Sequence, residues 1–248
     1  MAGSALLLAT SVHLASLNLC SDEYALLLAR PGEVVSVSRL ARDPAESALA
    51  PMARRLPGNR GRIEDVVAWR PTVVLTMGGG GRSSGAIARA LGLRVIDLPQ
   101  PTTVADVGAN LDRVAAALGD RRRARPWLAR IAALEGRVPA QRDTIYLGHG
   151  GLSQSPDSLG AQWMRLAGLR QRALAGGRAS LETLMTRPPN TLLMSNYRSG
   201  QVSQGQHLLG HPLLARLMSR RVVTDGRGWT CGGPMMIEEI ERLRRTAG

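Results

Sequence analysis

From Val12 onward, short apolar runs alternate with longer helical patterns, and this alternation constrains the fold more than any other feature of the chain. Residues 12–17, 34–37, 73–77 and 94–98 read as strands. Residues 22–29, 63–69 and 84–91 read as helices, the second stopped by Arg70-Pro71 and the third closed by Gly92. A second series follows, with strands at 144–147, 191–195 and 222–224 and helices at 158–167, 181–185, 213–218 and 236–244. Such a pattern predicts α/β architecture: mostly parallel sheets with helices on both faces.

Between the two series an Ala/Leu/Arg pattern over 104–138 predicts helix, with Gly119-Asp120 as a break and restart and Pro126 early in its second half. Its length suits a connection between two lobes. The expected organisation is a signal remnant or frayed end over 1–11, an N-terminal α/β lobe over 12–118, a linking helix over 119–141 and a C-terminal α/β lobe over 142–248. An internal repeat supports two lobes of one kind. Arg62-Ile63-Glu64-Asp65-Val66-Val67-Ala68-Trp69-Arg70-Pro71 precedes the strand at 73, and Ser180-Leu181-Glu182-Thr183-Leu184-Met185-Thr186-Arg187-Pro188-Pro189 precedes the strand at 191. In each, a Glu is followed seven residues later by Pro, then a buried-type strand, then a polar or Gly-rich loop.

Composition narrows the chemistry. The 248 residues include no Lys, so all 32 basic residues are Arg, which against 19 Asp and Glu gives a formal net charge of +13. A Schiff-base amine, a phosphate-loop lysine and a kinase strand lysine are therefore excluded. Apart from Arg121-Arg122-Arg123-Ala124-Arg125 the Arg residues are scattered, and aromatic residues are few. A nucleic-acid binder concentrates its charge and interleaves aromatics, so no nucleic-acid partner is expected. No apolar stretch reaches the ~20 residues of a membrane span. Ala5-Leu6-Leu7-Leu8-Ala9 is apolar but has no Arg before it, which weakens a signal reading of 1–11. Cys20 and Cys231 lack C-x-x-C spacing, so no metal site is expected. They read as two buried thiols, or as one long-range disulfide in an exported protein.

In open α/β sheets, ligands sit beyond the carboxyl ends of the strands. The residues there are Asn18, Cys20 and Asp22; Arg39; Gly78, Gly79, Gly80, Gly81 and Arg82; His149; Asn196, Tyr197 and Arg198; and Trp229, Thr230 and Cys231. This set is rich in Gly, aromatic and Arg groups and poor in paired carboxylates, which suits holding a large ligand more than acid–base catalysis. Gly81-Arg82-Ser83-Ser84-Gly85 matches the esterase G-x-S-x-G pattern, but intervening glycines displace Ser83 from the turn. A serine hydrolase using Ser83 with His149 is the alternative. His207 and His211 are four apart, but no Glu follows the first, and the intervening Gly210 with Pro212 breaks any helix there, so a zinc-protease reading fails. Trp229, in the Gly-rich stretch that opens the last helix, is expected to wall the ligand cleft.

The order of these pieces resembles the periplasmic substrate-binding proteins of ABC importers for iron–siderophore complexes and vitamin B12, over nearly the whole chain from Val12. The likeness rests on Ser16-Leu17-Asn18-Leu19-Cys20-Ser21-Asp22-Glu23, Ile63-Glu64-Asp65-Val66, Arg70-Pro71-Thr72-Val73-Val74-Leu75, Ala90-Leu91-Gly92-Leu93-Arg94-Val95, Leu166-Ala167-Gly168-Leu169 and Trp229-Thr230-Cys231-Gly232-Gly233-Pro234. The resemblance implies two Rossmann-like lobes joined by one long α-helix and a ligand held between them. It also implies no catalysis, no resident cofactor, a monomer and a periplasmic location. One surface Glu on each lobe docks on the permease in that family, and Glu64 and Glu182 fall at the matching places. The stretch after Val37 holds Arg39-Leu40 where the B12-binding relatives have an aromatic. Arg39, Arg82, Arg198 and Arg227 suit an anionic iron chelate. A disulfide between Cys20 and Cys231 is a further expectation at the cleft.

Overall fold

A computed structural model describes residues 12–79, 82–198 and 207–247, the backbone alone at 82–84 and 247. The expectations for Gly80, Gly81 and residues 1–11 fall outside the described residues. A first sheet carries β1 (Leu14–Ser16), β2 (Val34–Ser38), β3 (Gly58–Asn59), β4 (Val73–Met77) and β5 (Arg94–Leu98) in the order β3-β2-β1-β4-β5. A second carries β6 (Arg142–Leu147), β7 (Leu169–Gln171), β8 (Thr191–Ser195) and β9 (Arg220–Thr224) in the order β7-β6-β8-β9. Every pairing is parallel. Leaving aside the edge strand β3, the two sheets have the same winding, with the first strand between the second and the third. The sequence repeat falls before the third strand of each, β4 and β8, and Val66 and Leu184 are both fully buried in it.

Alternation along the strands sends side chains to opposite faces, and the cores follow it. Leu14, Val73, Leu75 and Met77 face one cluster while Ala15 and Val74 face another. In the second sheet Tyr146 and Leu193 join the first cluster, and Ile145, Leu147 and Leu192 form a third with Leu184. The first cluster is therefore continuous across both lobes.

The helices are α1 (Leu19–Leu28), α2 (Ala50–Ala53), α3 (Arg82–Ala90), α4 (Val104–Ala117), α5 (Arg125–Gly136), α6 (Leu159–Leu166), α7 (Leu181–Thr186), α8 (Gly226–Cys231) and α9 (Met235–Ala247). Their starts have local causes. Thr103 caps α4 in a box with Asp106, and Ser158, Ser180 and Asp225 cap α6, α7 and α8. Four backbone and side-chain bonds from Thr102 and Thr103 hold the Asp106 carboxyl down to about 2.

The helical pattern over 104–138 is two helices, α4 and α5, parted at the expected Gly119-Asp120 break by a 3-10 turn over Arg121–Ala124, so the single long helix that the resemblance implied is interrupted there. The glycine there takes φ +78, a left-handed value that ends a helix cheaply. Two expected helices are 3-10 turns instead: Ile63–Asp65 with Val67–Trp69, and Pro212–Arg216. The short strands β3 and β7 carry too little pattern to be read in advance. The Gly-rich stretch before α9 is helical, as α8, rather than a loop.

Candidate functional site

Each sheet has one place where the winding reverses, between β1 and β4 and between β6 and β8, and crevices open at such points. At the first, Asn18 is consumed by structure. Its Oδ1 accepts from the Ser21 backbone N–H at 2.9 Å and its Nδ2 donates to the Met77 carbonyl at 3.1 Å, fixing the start of α1 against the end of β4. Asp22 then accepts from the Ser38 hydroxyl at 2.5 Å and ties α1 to β2. Burial pushes Asp22 up to about 7 and its neighbour Glu23 up to about 8. Glu23 accepts the Met235 backbone N–H, and a Cβ placed on Gly233 would lie 2.5 Å from its Oε2. The lobes thus close on each other here, and Gly233 is the residue that permits it.

Beside this closure, Cys20 of α1 and Cys231 of α8 form a disulfide across 211 positions of sequence. Trp229, on the same short helix, is half-buried. Its indole N–H donates to Thr224 Oγ1 at 2.7 Å, and its ring centroid lies 5.1 Å from that of Tyr146. α8 sits this close to β8 because Gly226 has no side chain: a Cβ there would meet Ser195 Oγ at 2.2 Å.

The loop after β2 meets the loops after β8 and β9. Tyr197 donates its hydroxyl proton to Glu46 Oε2 at 2.6 Å, and the Arg198 guanidinium donates to Glu46 Oε1. Arg227 donates to the Pro44 carbonyl at 2.9 Å and to Asp225 Oδ1 at 2.9 Å. Burial raises the Tyr197 hydroxyl, and the Glu46 carboxylate raises it further. Burial alone would push Asp225 up, but the Arg227 bonds hold it below the usual carboxylate range. A cavity of about 250 Å³ lies at this junction, lined by Pro44 and Ala45 from one lobe and Asn196, Tyr197, Arg198 and Arg227 from the other. Larger depressions of about 530 and 640 Å³ are lined by residues from Arg137 onward alone, so neither draws on the N-terminal lobe.

Of the residues expected at the cleft, the structure brings together Cys20, Tyr197, Arg198, Trp229 and Thr230, the last bonded through its side chain to Tyr197. Arg39 and His149 are exposed, and the Gly79 N–H is turned to Asp97 Oδ1 at 3.3 Å. Sequence reasoning missed Glu46 and Tyr146. Glu46 sits in a loop with no periodic signal, though an acid beyond a strand end in so Arg-rich a chain was a usable clue. Glu64 and Glu182 are exposed, in the first turns of their segments. Ser83 lies in the first turn of α3, four glycines after β4, not on a strand-to-helix elbow. Its side chain is outside the described part.

Two parallel lobes of matching winding, strand ends meeting across a bridged junction, make this the two-lobed fold of the periplasmic solute-binding proteins. No family model and no curated protein sequence matches the chain. Solved structures do. The chain is similar to the periplasmic haem-binding protein HutB of Vibrio cholerae, with a TM-score of 0.76 and 18% identity over 96% of this chain and 99% of that one. It is similar to the haem-binding protein RhuT from Roseiflexus sp. RS-1, with a TM-score of 0.71 and 21% identity over 96% and 100%. For the vitamin B12-binding protein BtuF of Vibrio cholerae the values are 0.65 and 15% over 94% and 95%. At these identities the likeness is one of fold. The hydrolase alternative finds no support among these binding proteins.

Proposed function

We propose that this chain is a periplasmic solute-binding protein that captures a bulky metal chelate or corrinoid between its lobes and delivers it to an ABC permease. The observation that carries the reading is the junction itself. The carboxyl ends of both sheets converge there, furnished with Tyr197, Arg198, Arg227, Thr230 and the Trp229–Tyr146 pair. These groups grip by stacking and charge-assisted bonding, and the reading assigns them no chemical step. The neighbours, which bind haem or vitamin B12, support the ligand class, and their periplasmic setting supports the location. Glu64 and Glu182 are the docking acids in this reading. They occupy equivalent positions in the two halves, and exposed pairs of this kind set register and encounter rate more than affinity.

Titration with haemin, cyanocobalamin and ferric chelates, followed by tryptophan fluorescence, tests the reading. At least one probe should bind with a Kd below about 100 μM, equivalent to about 5.5 kcal/mol, and Trp229→Phe should remove most of the quenching. Absence of binding across the panel would contradict it.

A further inference from the structure

We propose that Glu46 is an internal stand-in for a carboxylate of the ligand, and that Tyr197 with Arg198 is the subsite that reads it. This rests on the groove reading above and narrows its ligand to the carboxylate-bearing kind.

Glu46 is a buried acid on the loop after β2, and its side chain reaches into the opposite lobe. Tyr197 takes one carboxylate oxygen and Arg198 the other, the two-point arrangement that suits a carboxylate and that an amide meets with less than its full strength. The receiving pair is held in place by its own lobe. Tyr197 N–H is anchored to Ser195 Oγ at 3.2 Å at the end of β8, and the Arg198 guanidinium lies 5.3 Å from the Tyr197 ring centroid. Arg198 also adopts φ +51, a left-handed value that costs a non-glycine residue energy and that directs its side chain from a tight turn. The acid that fills the pair is presented separately, by a turn whose Ala45 N–H is bonded to Asp43 Oδ1 at 2.9 Å. Receiver and occupant therefore belong to different lobes.

The cavity of about 250 Å³ adjoins this pair and is also lined by Arg227, whose guanidinium is paired with the neighbouring Asp225. A carboxylate on a ligand entering there would replace Glu46 on the same two donors. Glu46 then acts as a competitor that lowers apparent affinity in proportion to its occupancy and rejects ligands that cannot match its charge. Haem carries two propionate carboxylates and citrate-type iron chelates carry several, whereas the corrin ring carries amides. The subsite favours the first two chemistries over the third.

Equilibrium binding of haemin, haemin dimethyl ester, ferric citrate and cyanocobalamin to the oxidised full chain tests this. The comparison uses wild type, Glu46→Gln and the double variant Tyr197→Phe/Arg198→Gln, each confirmed folded by its thermal transition. In wild type the acid forms should bind at least tenfold more tightly than the ester or cobalamin, and which acid binds separates a propionate from a citrate source. Glu46→Gln should tighten the acid forms several-fold and leave the ester unchanged, and the double variant should erase the acid preference. Ester or cobalamin binding as tight as that of the acids would overturn the inference and leave the groove reading standing. So would a Glu46→Gln variant that binds the acids no better. Failure of all four probes to bind would remove both.

Discussion

Two neighbouring carboxyls at the start of α1, Asp22 and Glu23, are buried, and burial moves them to about 7 and about 8. In an unfolded chain they titrate near about 3.9 and 4.3, so the folded state holds protons that the unfolded state has given up. The stabilisation is complete below about pH 4 and declines as pH rises towards about 8. Thermal unfolding should therefore show a falling transition temperature between pH 5 and pH 8. Glu23→Gln should flatten that slope, raising the transition at pH 8 and barely moving it at pH 5. A variant with the wild-type slope would clear Glu23 of the effect. At this scale the sequence was only partly readable. Asn18 stands where a ligand contact belongs, but its amide is spent on capping α1, because a short polar side chain before a helix finds the free N–H groups first. Glu46 was missed for the opposite reason: its partners Tyr197 and Arg198 lie in the other lobe, and its place beyond a strand end was the one local clue.

At the scale of elements, the strands were the most legible part. β4 and β8 run as their apolar character dictates, because a strand buried on both faces leaves a continuous apolar run. α8 was not legible. Gly-Arg-Gly-Trp-Thr-Cys has poor intrinsic helicity, and tertiary context overrides it through the Asp225 cap, the Cys20 disulfide and the fit of Gly226 against β8. A consequence is that α8 depends on those ties. The disulfide closes a loop of 211 positions, for which the chain-entropy account gives about 5 kcal/mol of stabilisation as an upper figure. Cys231→Ala should unfold at clearly lower denaturant, and wild type under a strong reductant should fall to meet it. Identical transitions with and without reductant would show that the bridge does not form in solution. Gly226→Val should perturb the site without the disulfide being touched, since the added methyls have no room beside Ser195 and Tyr197. Lost quenching of Trp229 by ligand, with the fold retained, is the expected signature.

For the whole molecule, the duplicated winding is the deepest feature, and the sequence repeat before β4 and β8 already announced it. What the repeat could not convey is that one apolar cluster runs through both lobes and that a disulfide pins them at one side of the junction. A shared core and a covalent tie limit relative motion, so opening of the junction is expected to be small and to centre on the Glu46 contacts. Docking belongs to this scale as well. Glu64→Arg with Glu182→Arg should abolish association with the permease in a pull-down while ligand affinity stays within about twofold. Association that survives both reversals would deny these acids that role. Whether a guest is gripped by both lobes is read by hydrogen–deuterium exchange with and without the tightest-binding probe of the haemin, cobalamin and ferric chelate panel. Residues 43–47, 196–198 and 226–230 should gain protection together; protection confined to one lobe, or placed away from all three stretches, would rule out a guest held between them.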